Sequence, residues 1–419
     1  MMNNEFSVAV IGGGASGLVA AISAARQAEK LRKRVKITVY EANPRVGKKI
    51  LVTGNGRCNF TNDNISVENF HGEKKLAEEV LNLYSSEAIK DFFYSLGLFS
   101  KSDAVGRVYP MSSQASAVLD VLRYEIEAVG IEVVCDTKIS LLEYRNGKFV
   151  LNGKFYADKC IIATGGKAAP VHGSDGSGYK LLEKYGINVT PLLPALTPLT
   201  CVDFSKSLKG IRAQGKIMIK CCGRILAEDT GEIQYTEYGL SGIPSMQVSR
   251  FAATALYEGK ADVYAVVDSC PYFTEEELKN ELLGLIAHNP YLPGELLLSG
   301  ILPKKLGMSF LSDCSVNPTK EIAKLHRTVV DKIVKSVKEK KYKISSVRGF
   351  SDAQVTCGGI SGKEIVFETL ELKKVHGLYV CGEIINIDGD CGGYNLQWAW
   401  SSGMLAGISA VRSIESAAY

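Results

Sequence analysis

The sequence predicts an α/β fold that begins with a dinucleotide-binding unit. Residues 8–11 form an apolar run that is typical of a buried strand. Three glycines follow it in the spacing G-x-G-x-x-G, at Gly12, Gly14 and Gly17. Residues 18–25 are small and apolar, as a helix packed closely on a sheet requires. Strand, glycine turn and helix together let backbone N–H groups and a helix N-terminus approach a pyrophosphate.

The middle of the chain has a different pattern, which indicates more than one domain. The chain has 419 residues, enough for two or three domains. Three prolines within residues 191–198 mark a linker, and residues 199–268 have the pattern of a β-rich region. Helices follow, the first with Thr274 and Glu277 as a capping box. The α/β character returns at Val347.

Several local elements are predicted between these landmarks. Residues 76–98 have helical periodicity. A second helix is expected after Arg107, with Ser112 or Ser113 as its cap. The remaining predicted elements are a strand over residues 130–139, a hairpin turn at Asn146-Gly147 and a helical run over residues 317–341.

Composition argues against several functional classes. The net charge of +4, from 49 basic and 45 acidic residues, gives no indication of a nucleic-acid partner. The lysines between residues 335 and 343 surround Glu339 and lack interleaved aromatics, so we interpret them as a solvated helix end. Eleven cysteines without C-x-x-C pairs fit a reducing cytoplasm better than a disulfide framework or a zinc site.

Targeting signals are not evident in the sequence. The first residues lack the basic and apolar regions of a signal peptide. The longest uncharged stretch, residues 391–411, is interrupted by Gly, Ser, Asn and Gln and does not resemble a membrane span. Together with the composition, these observations lead us to expect a cytoplasmic protein without a metal, membrane or nucleic-acid partner. We expect its substrate to be a small molecule.

Glu41 narrows the choice of dinucleotide. It follows the strand at residues 35–40 and lies 24 residues after Gly17. A carboxylate in this position accepts hydrogen bonds from an adenosine ribose, and its charge repels a 2′-phosphate. The position therefore favours FAD or NAD over NADP.

The segment 47–62 is rich in glycine and hydrogen-bonding residues, which predicts a loop built for close approach to a ligand. Its Cys58 has no partner cysteine nearby in sequence. We therefore expect a packing or flavin-facing thiol rather than one that exchanges disulfides.

Another buried strand is expected to end beside the same cofactor. Residues 158–162 lead into Ala163-Thr164-Gly165, whose backbone can approach a ligand closely. Residues 173–179 look superficially like a second phosphate loop, but no strand directly precedes them and no acidic ribose residue follows. We interpret them as a helix start, which leaves no second dinucleotide domain for a nicotinamide cofactor.

The C-terminal region supplies the other half of the predicted site. Residues 377–383 are predicted to form a strand that ends in Gly382-Glu383, and this terminal carboxylate suits the ribityl chain of a flavin. Asn395 can cap the last helix and direct its dipole at the negative charge that develops on the flavin N1–C2=O edge upon reduction.

The combination of motifs resembles the BaiN-like (aminoacetone-oxidase-type) family of bacterial FAD-binding oxidoreductases. The motifs are G-G-G-A-S-G at 12–17, T-G-N-G-R-C-N-F-T-N at 53–62, A-T-G-G at 163–166, G-S-D-G-S-G-Y at 173–179, Y-G-L-S-G at 238–242, V-T-C-G-G at 355–359, and residues 382–398. They extend from one end of the chain to the other.

This resemblance implies a Rossmann-like FAD-binding domain built from both chain ends, with an inserted β-barrel-like domain and a helical cap. The implied ranges are 1–195 and 343–419 for the FAD-binding domain, 196–270 for the β-rich domain and 271–342 for the cap. Together with the residues argued above, the predicted cofactor-binding set is Gly12, Gly14, Ala15, Ser16, Gly17, Glu41, Lys48, Lys49, Thr53, Gly54, Asn55, Gly56, Arg57, Cys58, Asn59, Ile139, Ala163, Thr164, Gly165, Gly382, Glu383, Asp388, Gly393, Asn395 and Leu396.

Three functions are compatible with this sequence. The first is a reductase that passes hydride from NAD(P)H through flavin N5 to an enone, of bile-acid or steroid type in some family members. The second is an oxidase of a small amine such as aminoacetone, and the third is a non-catalytic or RNA-modification-associated flavoprotein. The reductase is favoured. Ile243-Pro244-Ser245 replaces the Gly-Pro-Ala common in the family, which puts the substrate in doubt.

No catalytic acid or base can be assigned from the sequence. The five histidines are spread along the chain and show no pattern of a catalytic set. Tyr238, Arg57 or water could each supply a proton to a flavin-dependent reaction.

Overall fold

A computed structural model describes residues 5–414 and divides the chain into two compact units. One unit combines both ends of the chain, residues up to Leu193 and from Gln354 onward, and is called the two-ended unit. The other, Pro194–Ala353, is the inserted unit. Each unit has its own cluster of buried apolar side chains.

Eleven α-helices occur in the described residues. They are α1 (Ala15–Lys30), α2 (Lys74–Leu83), α3 (Ser86–Ser95), α4 (Ala115–Ala128), α5 (Ser177–Glu183), α6 (Ile243–Gln247), α7 (Ser249–Tyr257), α8 (Glu275–His288), α9 (Lys304–Asp313), α10 (Arg327–Lys338) and α11 (Tyr394–Arg412).

The strands are mostly short. They are β1 (Phe6–Ile11), β2 (Val35–Tyr40), β3 (Thr61–Asn62), β4 (Phe70–Gly72), β5 (Ser100–Ser102), β6 (Arg107–Pro110), β7 (Glu132–Val134), β8 (Leu142–Arg145), β9 (Lys148–Leu151), β10 (Phe155–Ala157), β11 (Lys159–Ile162), β12 (Leu193–Ala195), β13 (Leu199–Cys201), β14 (Arg212–Cys221), β15 (Arg224–Tyr235), β16 (Gly239–Ser241), β17 (Val263–Asp268), β18 (Lys340–Val347), β19 (Val355–Cys357), β20 (Ile365–Val366), β21 (Glu371–Leu372), β22 (Leu378–Val380) and β23 (Ile387–Gly389).

A seven-stranded sheet organises the two-ended unit, in the order β20-β21-β22-β11-β1-β2-β7. The five strands from β22 to β7 are parallel, and the first two are antiparallel edge strands. Parallel strands need helical crossovers, so their buried residues form continuous apolar runs. Because the central strands come from residues 6–11, 159–162 and 378–380, both chain ends build the same core.

Helix α11 packs directly against helix α1, and small residues permit this contact. A Cβ added at Gly403 would lie 2.5 Å from the carbonyl oxygen of Ser16. One added at Gly407 would lie 2.1 Å from the carbonyl oxygen of Ala20. Real Cβ atoms do not approach backbone oxygens this closely, so glycine is required at both positions.

The inserted unit is built on a closed six-stranded barrel in the order β13-β16-β15-β14-β17-β18. Helices α8, α9 and α10 share its apolar core. Helix α10 is attached through Lys338, whose Nζ lies 2.7 Å from a carboxylate oxygen of Asp268 at the end of β17. The helical cap was predicted to end at residue 342, but barrel strand β18 spans that position, from Lys340 to Val347.

The predicted α/β class and the inserted barrel are confirmed, but several local predictions were wrong. Residues 76–98 form two helices, because Ser85 caps a new one with a hydrogen bond to the Ala88 N–H. Helix α4 begins after Gln114, without a side-chain cap, and Ser113 has a φ of +55°. A helical run was expected over residues 317–341, but the α-helix there, α10, covers only Arg327–Lys338. The strand expected over residues 130–139 is shorter as well, because β7 covers only Glu132–Val134.

The structure confirms three other local predictions. Thr274 and Glu277 form the expected capping box. Strands β8 and β9 make the hairpin around Asn146-Gly147, with Arg145 paired to Lys148. Residues 177–183 form helix α5, so the segment at 173–179 is a helix start. Among the helices of residues 5–414, none has the length and apolar character needed to cross a lipid bilayer.

The close contact between α1 and α11 predicts that adding one methyl group between these helices destabilises the folded protein. We expect Gly407→Ala to lower the free energy of unfolding by about 1–3 kcal/mol, since the helices must separate to fit it. Gly284→Ala is the matched control, because Gly284 is also inside a helix but has no atom within 4 Å of its Cβ position. That control should raise stability by about 0.5–1 kcal/mol. Urea unfolding measures both, and equal effects would contradict the packing argument.

Candidate functional site

The glycine turn after β1 gives each glycine a different task. Gly12 has a φ of +106°, and a Cβ there would lie 2.5 Å from the carbonyl oxygen of Ala163. Gly17 lies so close to Gly12 that a Cβ at Gly17 would be 1.9 Å from the Gly12 carbonyl oxygen. Gly14 has open space around its Cβ position, and helix α1 starts there. No side chain caps the first N–H groups of the helix.

Glu41 is held against this turn. It follows β2 and is only 8% exposed. One carboxylate oxygen accepts a 2.8 Å hydrogen bond from the Gly13 N–H. The other accepts hydrogen bonds from the backbone and side-chain amides of Asn43, at 2.8 and 2.7 Å. The carboxylate thus has a fixed orientation beside the glycine turn, as the ribose role requires.

The segment from Lys48 to Asn59 is a tightly kinked loop. Its 3₁₀ helix, Ile50–Gly56, contains residues that depart from helical geometry, among them Gly54 and Asn55 with φ near +55°. The guanidinium of Arg57 lies 4.9 Å from the centre of the Tyr109 ring. Residues 54–57 of this loop are exposed, whereas Ile50 and Cys58 on either side are buried.

Cys58 is a buried packing thiol. Its side chain is fully buried, and this burial raises the pKa of the thiol to about 12. A hydrogen bond with Thr53 opposes the rise only in part. Because the thiolate is the reactive form of cysteine, a thiol with this pKa is inert at neutral pH.

Lys49 and Glu383 connect the N-terminal loop to the C-terminal part of the chain. Lys49 Nζ lies 2.9 Å from a carboxylate oxygen of Glu383. The other oxygen of Glu383 accepts a 2.8 Å hydrogen bond from the Thr356 N–H. The Thr356 hydroxyl oxygen in turn accepts hydrogen bonds from the N–H groups of Lys167 and Ala168, at 2.8 and 3.1 Å. This chain of contacts fixes the loop that follows the A-T-G-G motif.

Three buried side-chain oxygens in this region have no hydrogen-bond partner. They are Asn59 Oδ1, Thr164 Oγ1 and Ser174 Oγ. A Cβ at Gly165 would lie 3.0 Å from Ser174 Oγ and 3.9 Å from Glu383. Thr164 Oγ1 instead lies against Gly178 in α5, and Asn59 Oδ1 lies against Gly393. Buried polar atoms in folded proteins are nearly always hydrogen-bonded, so each orphaned oxygen indicates a missing polar partner.

Helix α11 begins at the turn that follows β23. Its first residue is Tyr394 and its N-cap is Gly393, with a φ of +102° and no side-chain cap. Asn395 is therefore not the cap that we predicted. It lies in the first turn, where its side chain donates 2.7 Å to the Gly389 carbonyl and accepts 2.8 Å from the Gly389 N–H. Asn395 thus shapes the turn before the helix and leaves the helix N-terminus open.

Many of the predicted residues fall into three groups, whereas Lys48 and residues 54–57 are exposed and lie outside them. The glycine turn, Glu41 and Ile139 form one, since the N–H of Thr137 donates to the Glu41 carbonyl two residues before Ile139. The second contains Lys49, Thr164, Gly165 and Glu383. The third contains Asn59, Asp388, Gly393, Asn395 and Leu396 around the start of α11. Ser16 connects the first two groups, because a Cβ at Gly382, next to Glu383, would lie 2.5 Å from Ser16 Oγ.

Three residues of this region were missed at the level of sequence. Thr356, Ser174 and Asn43 each contact predicted residues, yet none received a role. Thr356 and Ser174 lie in motifs that carry the family resemblance, which was the available signal. In the described part of the chain, no group of three or more His, Cys, Asp or Glu side chains is arranged to hold a metal ion.

The buried thiol leads to a chemical test. At pH 8 a thiol with a pKa near 12 is roughly 10⁻⁴ ionised, against about a quarter for a free cysteine with pKa 8.5. We expect iodoacetamide to modify Cys58 of the folded protein at least 1,000-fold more slowly than the exposed Cys222. Timed alkylation and peptide mass spectrometry measure both rates in one sample. Similar rates would show that Cys58 is accessible and reactive.

Comparisons with known proteins place these features in a family. A family model described as the HI0933-like protein Rossmann domain matches residues 6–409. The chain is 38% identical over 409 residues to a 3-dehydro-bile acid delta(4,6)-reductase of Clostridium scindens, covering 96% of this chain and 98% of that protein. It is 28% identical over 414 residues to a ribosomal RNA dihydrouridine synthase of Haemophilus influenzae, with coverage of 96% and 98%.

A similar solved structure is the 3-ketosteroid delta1-dehydrogenase of Sterolibacterium denitrificans, crystallised with 1,4-androstadiene-3,17-dione. It aligns with a TM-score of 0.48 and 12% identity, covering 98% of this chain and all of that chain. The family assignment rests on the two sequence findings: the family model spans nearly the whole chain, and the bile-acid reductase aligns with it from end to end. The predicted resemblance is confirmed, and the chain belongs to the HI0933-like family of Rossmann-domain proteins.

Proposed function

We propose that this chain is an FAD-dependent oxidoreductase that reduces a conjugated enone with hydride from NAD(P)H. The observation that carries the proposal is the 38% identity to a 3-dehydro-bile acid delta(4,6)-reductase over almost the whole chain. That name describes reduction of carbon–carbon double bonds in conjugation with a 3-oxo group, which is enone chemistry. Steroid-like enones are therefore the first substrate class to test.

The residues of the two-ended unit fit FAD as the cofactor. The open space at Gly14, beside an uncapped helix start, suits a pyrophosphate. Glu41 offers a fixed carboxylate to a ribose without a 2′-phosphate. Ser174 Oγ, a buried acceptor without a partner beside Gly165 and Glu383, is the kind of group that a cofactor hydroxyl could pair with. A ligand that hydrogen-bonds to it removes the free-energy cost of burying it alone.

Each group of residues then has a role toward the cofactor. Bound FAD would supply the hydride transfer, accepting hydride from a donor and passing it from N5 to substrate. Backbone N–H groups at the start of α1 bind the pyrophosphate, and Glu41 binds the ribose. The pair of Lys49 and Glu383 connects the loop after the glycine turn to the C-terminal part of the chain, and both residues would help to hold the ribityl chain. The open N-terminus of α11 stabilises negative charge on the reduced ring.

The substrate needs a proton as well as a hydride. Hydride addition to an enone leaves negative charge on the carbonyl oxygen, and the α-carbon then takes a proton. Arg57 stacks on Tyr109 in the two-ended unit. Tyr238 in the inserted unit lies with its ring centre 4.9 Å from the guanidinium carbon of Arg348. Tyr238 and water are the candidate proton donors, and the Arg57 guanidinium, which keeps its proton, is a candidate partner for the negative carbonyl oxygen.

A second substrate class is favoured by a specific observation. The relative from Haemophilus influenzae, named as a ribosomal RNA dihydrouridine synthase, also aligns over the full chain. Dihydrouridine is uridine reduced at its 5,6 double bond, which is conjugated with the C4 carbonyl. The same hydride chemistry would therefore serve a steroid enone and a uracil ring, and substrate binding alone would separate the two.

The electron donor is proposed to bind transiently. Residues 173–179 form the start of α5 and not a second dinucleotide loop. NAD(P)H would then reach the flavin without a second dinucleotide-binding domain. Whether the protein prefers NADH or NADPH is part of the test. A cytoplasmic location is also proposed, supported by the eleven cysteines, all within residues 5–414, none of which forms a disulfide there.

Anaerobic stopped-flow spectroscopy tests the proposal. We expect NADH or NADPH to bleach the flavin absorbance, and a 3-oxo-4,6-diene steroid to restore it without oxygen. Unmodified ribosomal RNA in a parallel mixing experiment tests the uracil alternative, and restoration by RNA alone would assign that substrate class. Bleaching by aminoacetone, followed by hydrogen peroxide formation in air, would replace the reductase with an oxidase. Absence of bleaching by every donor would refute the enzymatic proposal.

A further inference from the structure

Four consecutive residues, Asn59 to Asn62, contact the beginning of helix α11. The Phe60 carbonyl accepts a 2.8 Å hydrogen bond from Trp400 Nε1. Thr61 Oγ1 donates to Gln397 Oε1 at 2.5 Å. Asn62 Nδ2 donates to the Gly392 carbonyl at 2.9 Å. Residues 59–62 are thus a clamp on one helix end, and this name is used for them below.

Close packing completes the clamp at Gly393. A Cβ at this position would lie 2.4 Å from the Thr61 carbonyl oxygen and 2.7 Å from Asn59 Oδ1. Gly393 is also the N-cap of α11, with a φ of +102° that disfavours other residues. The clamp therefore fixes where the helix starts and places an orphaned oxygen, Asn59 Oδ1, against that start.

Gln397 is the central polar residue of this contact. Its side chain is fully buried. Both amide hydrogens and one of the two oxygen lone pairs have hydrogen-bond partners. Its Nε2 donates to the Tyr84 carbonyl and to Ser401 Oγ, both at 2.9 Å, while Oε1 accepts from Thr61. Because the Tyr84 carbonyl can only accept, the amide nitrogen must face it, which leaves Oε1 toward the Thr61 hydroxyl. Loss of the Thr61 hydroxyl would leave a buried acceptor unpaired and free the helix to shift.

The helix that the clamp holds has an open, uncapped N-terminus. The first N–H groups of α11 have no partner within the helix, and Gln397 N is the first to bond back, to the Gly393 carbonyl. The field of such an end falls off within about one turn. A shift of the helix start by a fraction of an ångström therefore changes how strongly it stabilises a nearby negative charge.

We propose that Thr61 and Gln397 are positioning residues that set the reduction potential of the bound FAD by holding the start of α11. This inference rests on the proposed function, because it requires FAD at the site. Neither residue needs to touch the cofactor. Their effect is selective, since the reduced flavin carries the negative charge that the helix end stabilises, whereas the oxidised flavin is neutral.

The test compares midpoint potentials of the FAD-loaded protein. Thr61→Val keeps the side-chain shape but removes the hydroxyl. We expect it to weaken binding of reduced FAD about tenfold more than binding of oxidised FAD, which lowers a two-electron potential by about 30 mV. Thr61→Ser restores the hydroxyl and should restore the potential. Ser401→Ala, which removes one partner of Gln397, should give a smaller drop and replaces Thr61→Val if that variant does not fold.

Ser413→Ala is the matched control. It removes a 2.8 Å hydrogen bond from Tyr379 at the opposite end of α11, and should lower thermal stability without changing the potential. If Thr61→Val and Ser401→Ala bind FAD at the wild-type potential, the positioning role is refuted while the proposed function stands. If Ser413→Ala lowers the midpoint potential by the same amount, the effect of Thr61→Val would reflect a general loss of stability and not the positioning of α11. Failure of the wild-type protein to bind FAD would refute both proposals.

Discussion

The direct contact between helices α1 and α11 is the constraint on which the two-ended unit depends. Gly403 and Gly407 let the last helix lie against the backbone of the first one. Since α1 starts at the glycine turn and α11 starts after β23, this contact brings two uncapped helix ends into one unit. Segments more than 350 residues apart in sequence thereby become one candidate site.

Around this contact, polar side chains fix loops that have little secondary structure. Glu41 holds the glycine turn, Glu383 connects Lys49 with Thr356, and Gln397 connects Thr61 with α11. These polar groups have most of their hydrogen bonds within the protein, which stabilises one arrangement of the loops. Buried side-chain atoms of Asn59, Thr164 and Ser174 are exceptions, because they have no hydrogen-bond partner among the described residues.

Sequence reasoning succeeded where a short motif determines backbone geometry. The G-x-G-x-x-G turn, the Thr274 capping box and the Asn146-Gly147 hairpin follow from local rules. It failed where apolar spacing hid a local cap, and where residues distant in sequence meet in the fold. Apolar spacing over residues 76–98 could not reveal that the Ser85 cap starts a new helix.

The same distinction explains the residues of the candidate site. The family resemblance selected Asn395 and Glu383, but the role of a cap assigned to Asn395 was wrong because Gly393 starts the helix. Thr356 was missed because its role depends on Lys167 and Glu383, which the fold brings to it from distant parts of the sequence. Packing of side chains from separate segments is not encoded in any one stretch of sequence.

The central claim is that one FAD molecule is held jointly by both ends of the chain. Hydrogen–deuterium exchange of the apo protein and the FAD-loaded protein tests it directly. We predict that FAD slows exchange in residues 12–17 and also in residues 389–396, with residues 48–59 protected as well. Protection confined to residues 12–17, with no change near the start of α11, would contradict the account.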